Sequence, residues 1–291
     1  MSDAQAAERP AAGQTTLTWK TVLTHVEPGK AGAARLETAV ALARRLGALL
    51  IGLGAELVEP VAFSDPYGSF DGQVLTALRE QCIENIKHAE AAFKSKTHGL
   101  RAEWRGVEDR PGPALARVAR GADVIVTGGC AIDEHNVYRA EDVGELILMA
   151  GRPVLVAPPK GGSLQAKAVV VAWKDTREAR RALADALPIL AGADEVVVVE
   201  TYADRSTAED AAFHADEVAS GLKRHGIKAR GKAMQVAEDK VAEALEHEAD
   251  AVGADLIVCG CYGHSRMNEW LFGGVTRDLL RRPGRFVLMS H

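Results

Sequence analysis

The sequence predicts an α/β fold in which parallel strands lie under helices on both faces, and it predicts this arrangement twice. Short runs rich in Val and Ile alternate with longer segments that carry a helical pattern, and no hairpin signal joins neighbouring runs. Strands that helices cover on both faces read as continuous apolar runs, so the alternation indicates a parallel sheet. The third observation is an internal repeat.

The two halves of the chain repeat each other at a constant offset. The stretches GADVIVTGG (121–129) and GADLIVCGC (253–261) are near copies that begin 132 residues apart. The same offset aligns 141–159 with 273–291 without a gap. Matching blocks in the same order argue against chance similarity of two apolar runs.

Each half is predicted to contain five strands and four helices. Val-rich runs define the strands, and Asp239, Gly226 and Gly253 supply helix start and stop signals. In the second half the elements are strand 167–173, helix 177–187, strand 194–201, helix 208–226, strand 227–234, helix 239–253, strand 254–260, helix 274–283 and strand 286–291. The first half repeats this rhythm from 19–26 to 153–158, with an insertion at 55–72.

The predicted organisation is two domains joined by a short linker. Residues 1–16 are Ala-rich and polar and are expected to form a loose tail. The first domain is expected to cover 17–158 and the second 167–291. The segment 159–166, PKGGSLQA, contains Pro, Gly and Ser and is the natural linker. It is short enough that the two domains should pack together as a pseudo-dimer.

Composition excludes several classes of protein. A formal charge of −5 argues against a general nucleic-acid binder, which needs clustered Lys and Arg. No apolar run approaches the roughly 20 residues that span a bilayer, so we expect a cytoplasmic protein without membrane contact. The Cys259-x-Cys261 pair and the other two cysteines, Cys82 and Cys130, have no partner pair at zinc spacing, and we expect buried thiols and no metal site.

A glycine-rich stretch follows the fourth strand of the second half and is a candidate phosphate site. Gly260 and Gly263 would let a ligand approach the main chain, and a helix that begins near Gly274 would offer unpaired N–H groups and the positive end of its dipole. His264, Ser265 and Arg266 add donors, and Thr276 adds a hydroxyl. Spacing alone favours a structural turn over a phosphate site, because the chain has 28 glycines.

The stretch GCYGHSRMNEWLFGGVTRDLL (260–280) closely resembles the late segment of the universal stress protein family. Nucleotide-binding members of that family carry Gly-x2-Gly-x9-Gly-Ser/Thr, and Gly260, Gly263 and Gly273 match this spacing. The resemblance covers nearly all of 17–291. It implies two tandem Rossmann-like domains, each with a five-stranded sheet, pairing through the last strand of each, and ATP binding in one branch of the family.

Two positions depart from the family pattern. Gly274 stands where the nucleotide-binding branch has Ser or Thr, and Lys174 stands where the family's first strand ends in an Asp that contacts adenosine. The loop chemistry and the resemblance together give the candidate nucleotide-binding residues Ala172, Trp173, Lys174, Asp175, Thr201, Gly260, Gly263, His264, Ser265, Arg266, Gly273, Gly274, Val275 and Thr276. The expected ligand is ATP, alone or with Mg²⁺.

The first half is expected not to bind ATP. Ala131 replaces Gly263, and Glu141 and Asp142 replace Gly273 and Gly274, so carboxylates would repel a phosphate there. His25 and His135 lack a paired nucleophile or a carboxylate signature, and we expect them to be surface or capping residues.

The leading hypothesis is a stress-response protein that binds an adenine nucleotide in its second half and responds to binding without turnover. At most, weak ATP hydrolysis is expected, and no catalytic residue is assigned. A second hypothesis is an interaction module that binds no nucleotide and acts through protein partners. A third is a small-molecule enzyme that uses the same crevice. A homodimer is compatible with each.

Overall fold

The computed structural model describes residues 18–59, 72–129, 137–261, 274–281 and 284–291. The α/β class is confirmed, with five strands from each half of the chain. The strands are β1 Thr21–His25, β2 Leu49–Ala55, β3 Ala102–Val107, β4 Val124–Gly128, β5 Val154–Ala157, β6 Ala168–Trp173, β7 Glu195–Tyr202, β8 Ala229–Gln235, β9 Leu256–Gly260 and β10 Phe286–Ser290. The described helices are α1 Lys30–Leu46, α2 Gly72–Lys96, α3 Pro111–Val118, α4 Val143–Ala150, α5 Arg177–Leu190, α6 Ala208–Arg224, α7 Val241–Val252 and α8 Gly274–Arg281.

All ten strands belong to one sheet, in the order β3-β2-β1-β4-β5-β10-β9-β6-β7-β8. Neighbouring strands are parallel except at the centre, where β5 and β10 are antiparallel. There Leu155 faces Leu288 and Val156 faces Val287. The expected pairing of the last strands of the two halves is therefore confirmed within the chain.

Two apolar layers hold helices to the two faces of the sheet. One layer joins α1, α2, α5 and α6 to side chains such as Leu50 and Val198. The other joins α3, α4, α7 and α8 to side chains such as Ile51 and Val197. Alternate residues of the inner strands thus enter opposite layers, which explains why those strands are largely apolar, whereas the edge strands β3 and β8 carry charged residues.

The aspartate of the repeated GAD motif ties the start of one strand to another. Asp123 accepts hydrogen bonds from the backbone N–H groups of Lys20 and Thr21 at 2.7 and 2.9 Å. Asp255 binds two backbone N–H groups just ahead of β6 in the same way, at 2.6 and 2.9 Å. In each half, the aspartate of the repeated motif therefore fixes the chain at the start of a neighbouring strand.

Two predicted helix ends were wrong. Lys240, and not Asp239, is the N-cap of α7, because Glu238–Lys240 forms a 3-10 turn whose hydrogen bonds precede the helix. Helix α5 continues through Pro188 to Leu190, since burial of its last residues compensates for the missing proline N–H. The end of α7 at Gly253 is confirmed, with the left-handed φ of 65° that favours glycine.

Candidate functional site

The first group of candidate residues lies where β6 and β7 end. Ala172 and Trp173 are the last residues of β6, and Thr201 lies near the end of β7. Trp173 is directly opposite Glu200 in the parallel register. The carboxyl ends of adjacent parallel strands form the usual place for ligands in such sheets, so these positions share one crevice edge.

Lys174 and Asp175 continue from β6 into solvent. Both are exposed, and Asp175 forms an ion pair with Arg180 of α5. The hydroxyl of Thr176 caps α5 by accepting a hydrogen bond from the backbone N–H of Ala179 at 3.3 Å. The side chain of Lys174 is therefore placed at the rim of the crevice, beside a capped helix start.

Gly260 is needed by the fold at the end of β9. A Cβ atom at this position would clash with the backbone of Glu178 and Ala179, which form the start of α5. The first turn of α5 therefore packs directly on the end of β9. Gly260 thus has a structural reason to be glycine that is independent of any ligand.

The second group of candidates opens α8. The helix begins at Gly274, which is exposed and has open space where a Cβ would be. Val275 is half-buried, whereas Thr276 is buried and its hydroxyl forms a hydrogen bond with the Cys261 thiol. Burial, together with the neighbouring Cys259, raises the pKa of Cys261.

Part of the candidate loop lies outside the described residues. This applies to Gly263, His264, Ser265, Arg266 and Gly273. Of the candidate site, the structure therefore describes the ends of β6, β7 and β9 and the start of α8.

Two buried polar atoms at the strand ends have no hydrogen-bond partner within the described part of the chain. They are the indole Nε1 of Trp173 and the Oε2 oxygen of Glu200. The other oxygen of Glu200 lies 3.3 Å from Nδ1 of His214. Burial raises the pKa of Glu200, and the hydrogen bond with His214 opposes part of that effect. Sequence reasoning missed Glu200, although it directly precedes the candidate Thr201.

A cavity of about 360 Å³ adjoins these strand ends. Its lining includes Glu200, Thr201, Asp210 and His214. Acceptor oxygens and hydroxyls therefore dominate its chemistry, which suits a ligand group that donates hydrogen bonds.

The corresponding crevice of the first half is filled by its own charged side chains. Val22 of β1 faces Val124, as Val169 of β6 faces Leu256, so His25 occupies the position equivalent to Ala172. The expectation that His25 is a surface or capping residue was wrong. Its exposure is 1%, because it lies between the Glu141 carboxylate and a backbone carbonyl of β2.

Glu141 is the centre of this buried cluster. Its Oε1 lies 2.5 Å from Nη1 of Arg35, and its Oε2 lies 2.9 Å from Nδ1 of His25. Thr127 donates a further hydrogen bond to Oε1. Burial alone would raise the pKa of Glu141, but the Arg35 charge and these hydrogen bonds outweigh it and hold that pKa well below its usual range. The helix start itself is capped by Asp142.

Within the described ranges, no group of three or more His, Cys, Asp or Glu side chains is arranged to hold a metal ion. Cys82, Cys259 and Cys261 are buried free thiols, as predicted, while Cys130 and His135 lie outside the described residues. None of the helices in the described part is both long and apolar enough to cross a membrane.

Part of the chain matches a known protein family, and its fold is similar to that of solved structures. Residues 165–289 match the family model described as the universal stress protein family. A universal stress protein from Archaeoglobus fulgidus DSM 4304 is 14% identical over 93% of this chain and 95% of its own, with a TM-score of 0.65. A functionally unknown protein from Pseudomonas aeruginosa PAO1 is 15% identical over 94% of this chain and 92% of its own, with a TM-score of 0.58.

A universal stress protein solved in complex with cAMP covers 49% of this chain and 99% of its own, at 18% identity and a TM-score of 0.31. The search of curated proteins found no match. At these identities the solved structures show the fold, and the family model supplies the assignment. Residues 165–289 therefore carry a universal stress protein domain, and the solved structures show the same fold over nearly the whole chain.

Proposed function

We propose that the second half of the chain binds an adenine nucleotide, ATP, and that binding regulates a stress response. The proposal is carried by the donor of Trp173 and the acceptor of Glu200 at the ends of adjacent strands, which have no partner among the residues that the structure describes. Buried polar groups without partners are costly, so a ligand that supplies an acceptor and a donor there would be stabilised. The adenosine part of ATP has both.

The start of α8, which follows the candidate loop in sequence, supports a phosphate site there. Gly274 is exposed with open space around it, and a helix start favours an anion through its N–H groups and dipole. The exposed Lys174 adds positive charge at the rim. Mg²⁺, if it accompanies ATP, would be held chiefly by the phosphates.

Charge supports one orientation of the nucleotide. The cavity at the end of β7 contains Glu200 and Asp210, which would repel a triphosphate and accept hydrogen bonds from ribose hydroxyls. The nucleoside would therefore lie at β6 and β7, and the phosphates at α8. We propose that ATP is bound without turnover and that the protein acts in the cytoplasm. The two domains would span 17–158 and 167–291, with 159–166 as the linker. A homodimer is compatible with this function.

Calorimetric titration of ATP into the full chain tests the proposal. The expected result is saturation at one nucleotide per chain, together with recovery of an adenine nucleotide by mass spectrometry of small molecules released from the purified protein. Saturation at two per chain would contradict the assignment to the second half. Absence of binding would favour the interaction module that acts through protein partners.

A matched pair of substitutions at Gly274 tests the phosphate end. Gly274→Asp places a carboxylate at the helix start, where the fold tolerates it and a phosphate does not. Gly274→Ser supplies the hydroxyl that the nucleotide-binding branch carries at this position. ATP affinity should be lost in the first variant and kept or improved in the second, with equal thermal stability without ligand. Equal affinities in the two variants would place the phosphates elsewhere.

A further inference from the structure

Three buried donors in the first half converge on a single carboxylate. Arg35 belongs to α1, His25 ends β1 and Thr127 lies in β4, and all three contact Glu141. Arg35 is 6% exposed, and Thr127 is fully buried. Donors from three separate elements thus form a preformed cradle at the carboxyl ends of the strands, closed to solvent.

The convergence of these polar groups on one carboxylate suits an anion. Arg35 also pairs with Glu27 at 2.7 Å. The ring of His25 has an acceptor at each nitrogen, Glu141 at 2.9 Å and the carbonyl of Ala55 at 3.1 Å. Without Glu141, Nδ1 of His25 and Nη1 of Arg35 would both lose the acceptor that they face, while Arg35 would keep Glu27.

Glu141 reaches the cradle from a segment outside the strands. In the alignment of the two halves by the 132-residue offset, Glu141 corresponds to Gly273, the residue that precedes α8. Its neighbour Arg139 is held by Glu56 at 3.1 Å, and the carbonyl of Tyr138 accepts a hydrogen bond from the N–H of Leu57 at 2.8 Å. The segment is thus fastened next to β2 while its carboxylate enters the crevice.

We propose that Arg35, His25 and Thr127 form a binding site for a small oxyanion and that Glu141 is its tethered ligand. The cradle offers a guanidinium, an imidazole nitrogen and a hydroxyl from three separate elements, and these groups can donate to a carboxylate or phosphate oxygen. The Nε of Arg35 is buried without a partner among the described residues, so the site has one donor beyond those that Glu141 uses. This inference does not depend on nucleotide binding in the second half.

Chemical rescue of Glu141→Ala in the full chain tests the site. The variant lacks the carboxylate and leaves the donors and a space, so it should melt below the wild type. Sodium formate should recover most of the lost melting temperature, and the recovery should rise with the logarithm of formate concentration above the dissociation constant. Sodium chloride at the same ionic strength should not. Equal effects of formate and chloride would overturn the proposal.

Two further variants separate a binding site from a general salt effect. Glu141→Gln fills the space with a neutral side chain and should gain nothing from formate beyond the effect of chloride. The double variant Glu141→Ala, Thr127→Val lacks one donor and should need more formate for the same recovery. Rescue of Glu141→Gln equal to that of Glu141→Ala would also overturn the site.

Two further measurements identify the class of anion and cover a variant that folds poorly. Inorganic phosphate in place of formate shows whether the spare Arg35 donor admits a larger oxyanion; rescue by formate alone restricts the class to carboxylates. If Glu141→Ala unfolds during purification, its refolding yield from urea is the readout. Formate should raise that yield severalfold over chloride, and the same low yield in formate, phosphate and chloride rejects the proposal.

Discussion

Gly260 and Gly128 end equivalent strands, β9 and β4, but their surroundings differ. A Cβ on Gly260 would clash with the backbone at the start of α5, whereas a Cβ on Gly128 would meet open space. Neither glycine has a positive φ. Glycine is therefore required at Gly260 by the close approach of α5, and at neither position by the backbone conformation.

Gly260→Ala should destabilise the protein, and Gly128→Ala should not. The first substitution forces α5 away from β9, which costs on the order of 1–3 kcal/mol in the free energy of unfolding. The second should be neutral or slightly stabilising, because alanine restricts the unfolded chain. Urea denaturation without nucleotide measures both. Equal values for the two variants would show that α5 adjusts without cost.

Trp173→Phe should separate stability from ligand binding. The substitution removes a buried N–H that has no partner in the described structure, so the free protein should be unchanged or more stable. Its affinity for ATP should fall if the nucleotide accepts a hydrogen bond from that group. Calorimetry and thermal melts measure the two effects. Trp104→Phe, a change beside Phe93 in another part of the core, is the control and should leave affinity unchanged.

Glu141 should contribute stability that depends on pH. Its pKa is lowered in the folded state, so its contribution is complete above the unfolded pKa of about 4.3 and is lost as the pH falls towards the folded value. Glu141→Gln leaves Arg35 without its buried partner and should cost about 3–5 kcal/mol at pH 7.

The difference in free energy of unfolding between wild type and Glu141→Gln should therefore shrink as the pH falls below about 4.3. Urea denaturation over a pH series measures it. A constant difference down to pH 3 would show that the carboxylate is not the group that stabilises the cluster.

Leu288→Lys should disrupt the centre of the sheet. Leu288 is fully buried and faces Leu155 across the antiparallel pair. A lysine there buries a charge and weakens the pairing, which exposes strand edges that favour aggregation. Glu103→Lys, an exposed position on the edge strand β3, is the control. Sedimentation should show aggregation in the first variant and not in the second; a monodisperse Leu288→Lys protein would contradict this.

The fold was predictable because its signals are local or repeat at a fixed offset. Val-rich strands, helix stop signals such as Gly253 and the repeated Asp123 and Asp255 all appear in short stretches of sequence. The charged cluster was missed because His25 and Glu141 are 116 residues apart, and neither residue type marks the other in sequence. The unpaired groups of Trp173 and Glu200 were missed for a related reason, since burial that leaves a polar atom without a partner is a property of three-dimensional packing.

The antiparallel pairing of β5 and β10 makes the strands of the two halves run in opposite directions. Strands of the first half end at one edge of the sheet and those of the second half at the opposite edge. The Glu141 cluster and the proposed nucleotide site therefore lie at opposite edges of the sheet. A macromolecule that docks over the proposed nucleotide site would therefore face away from the first crevice.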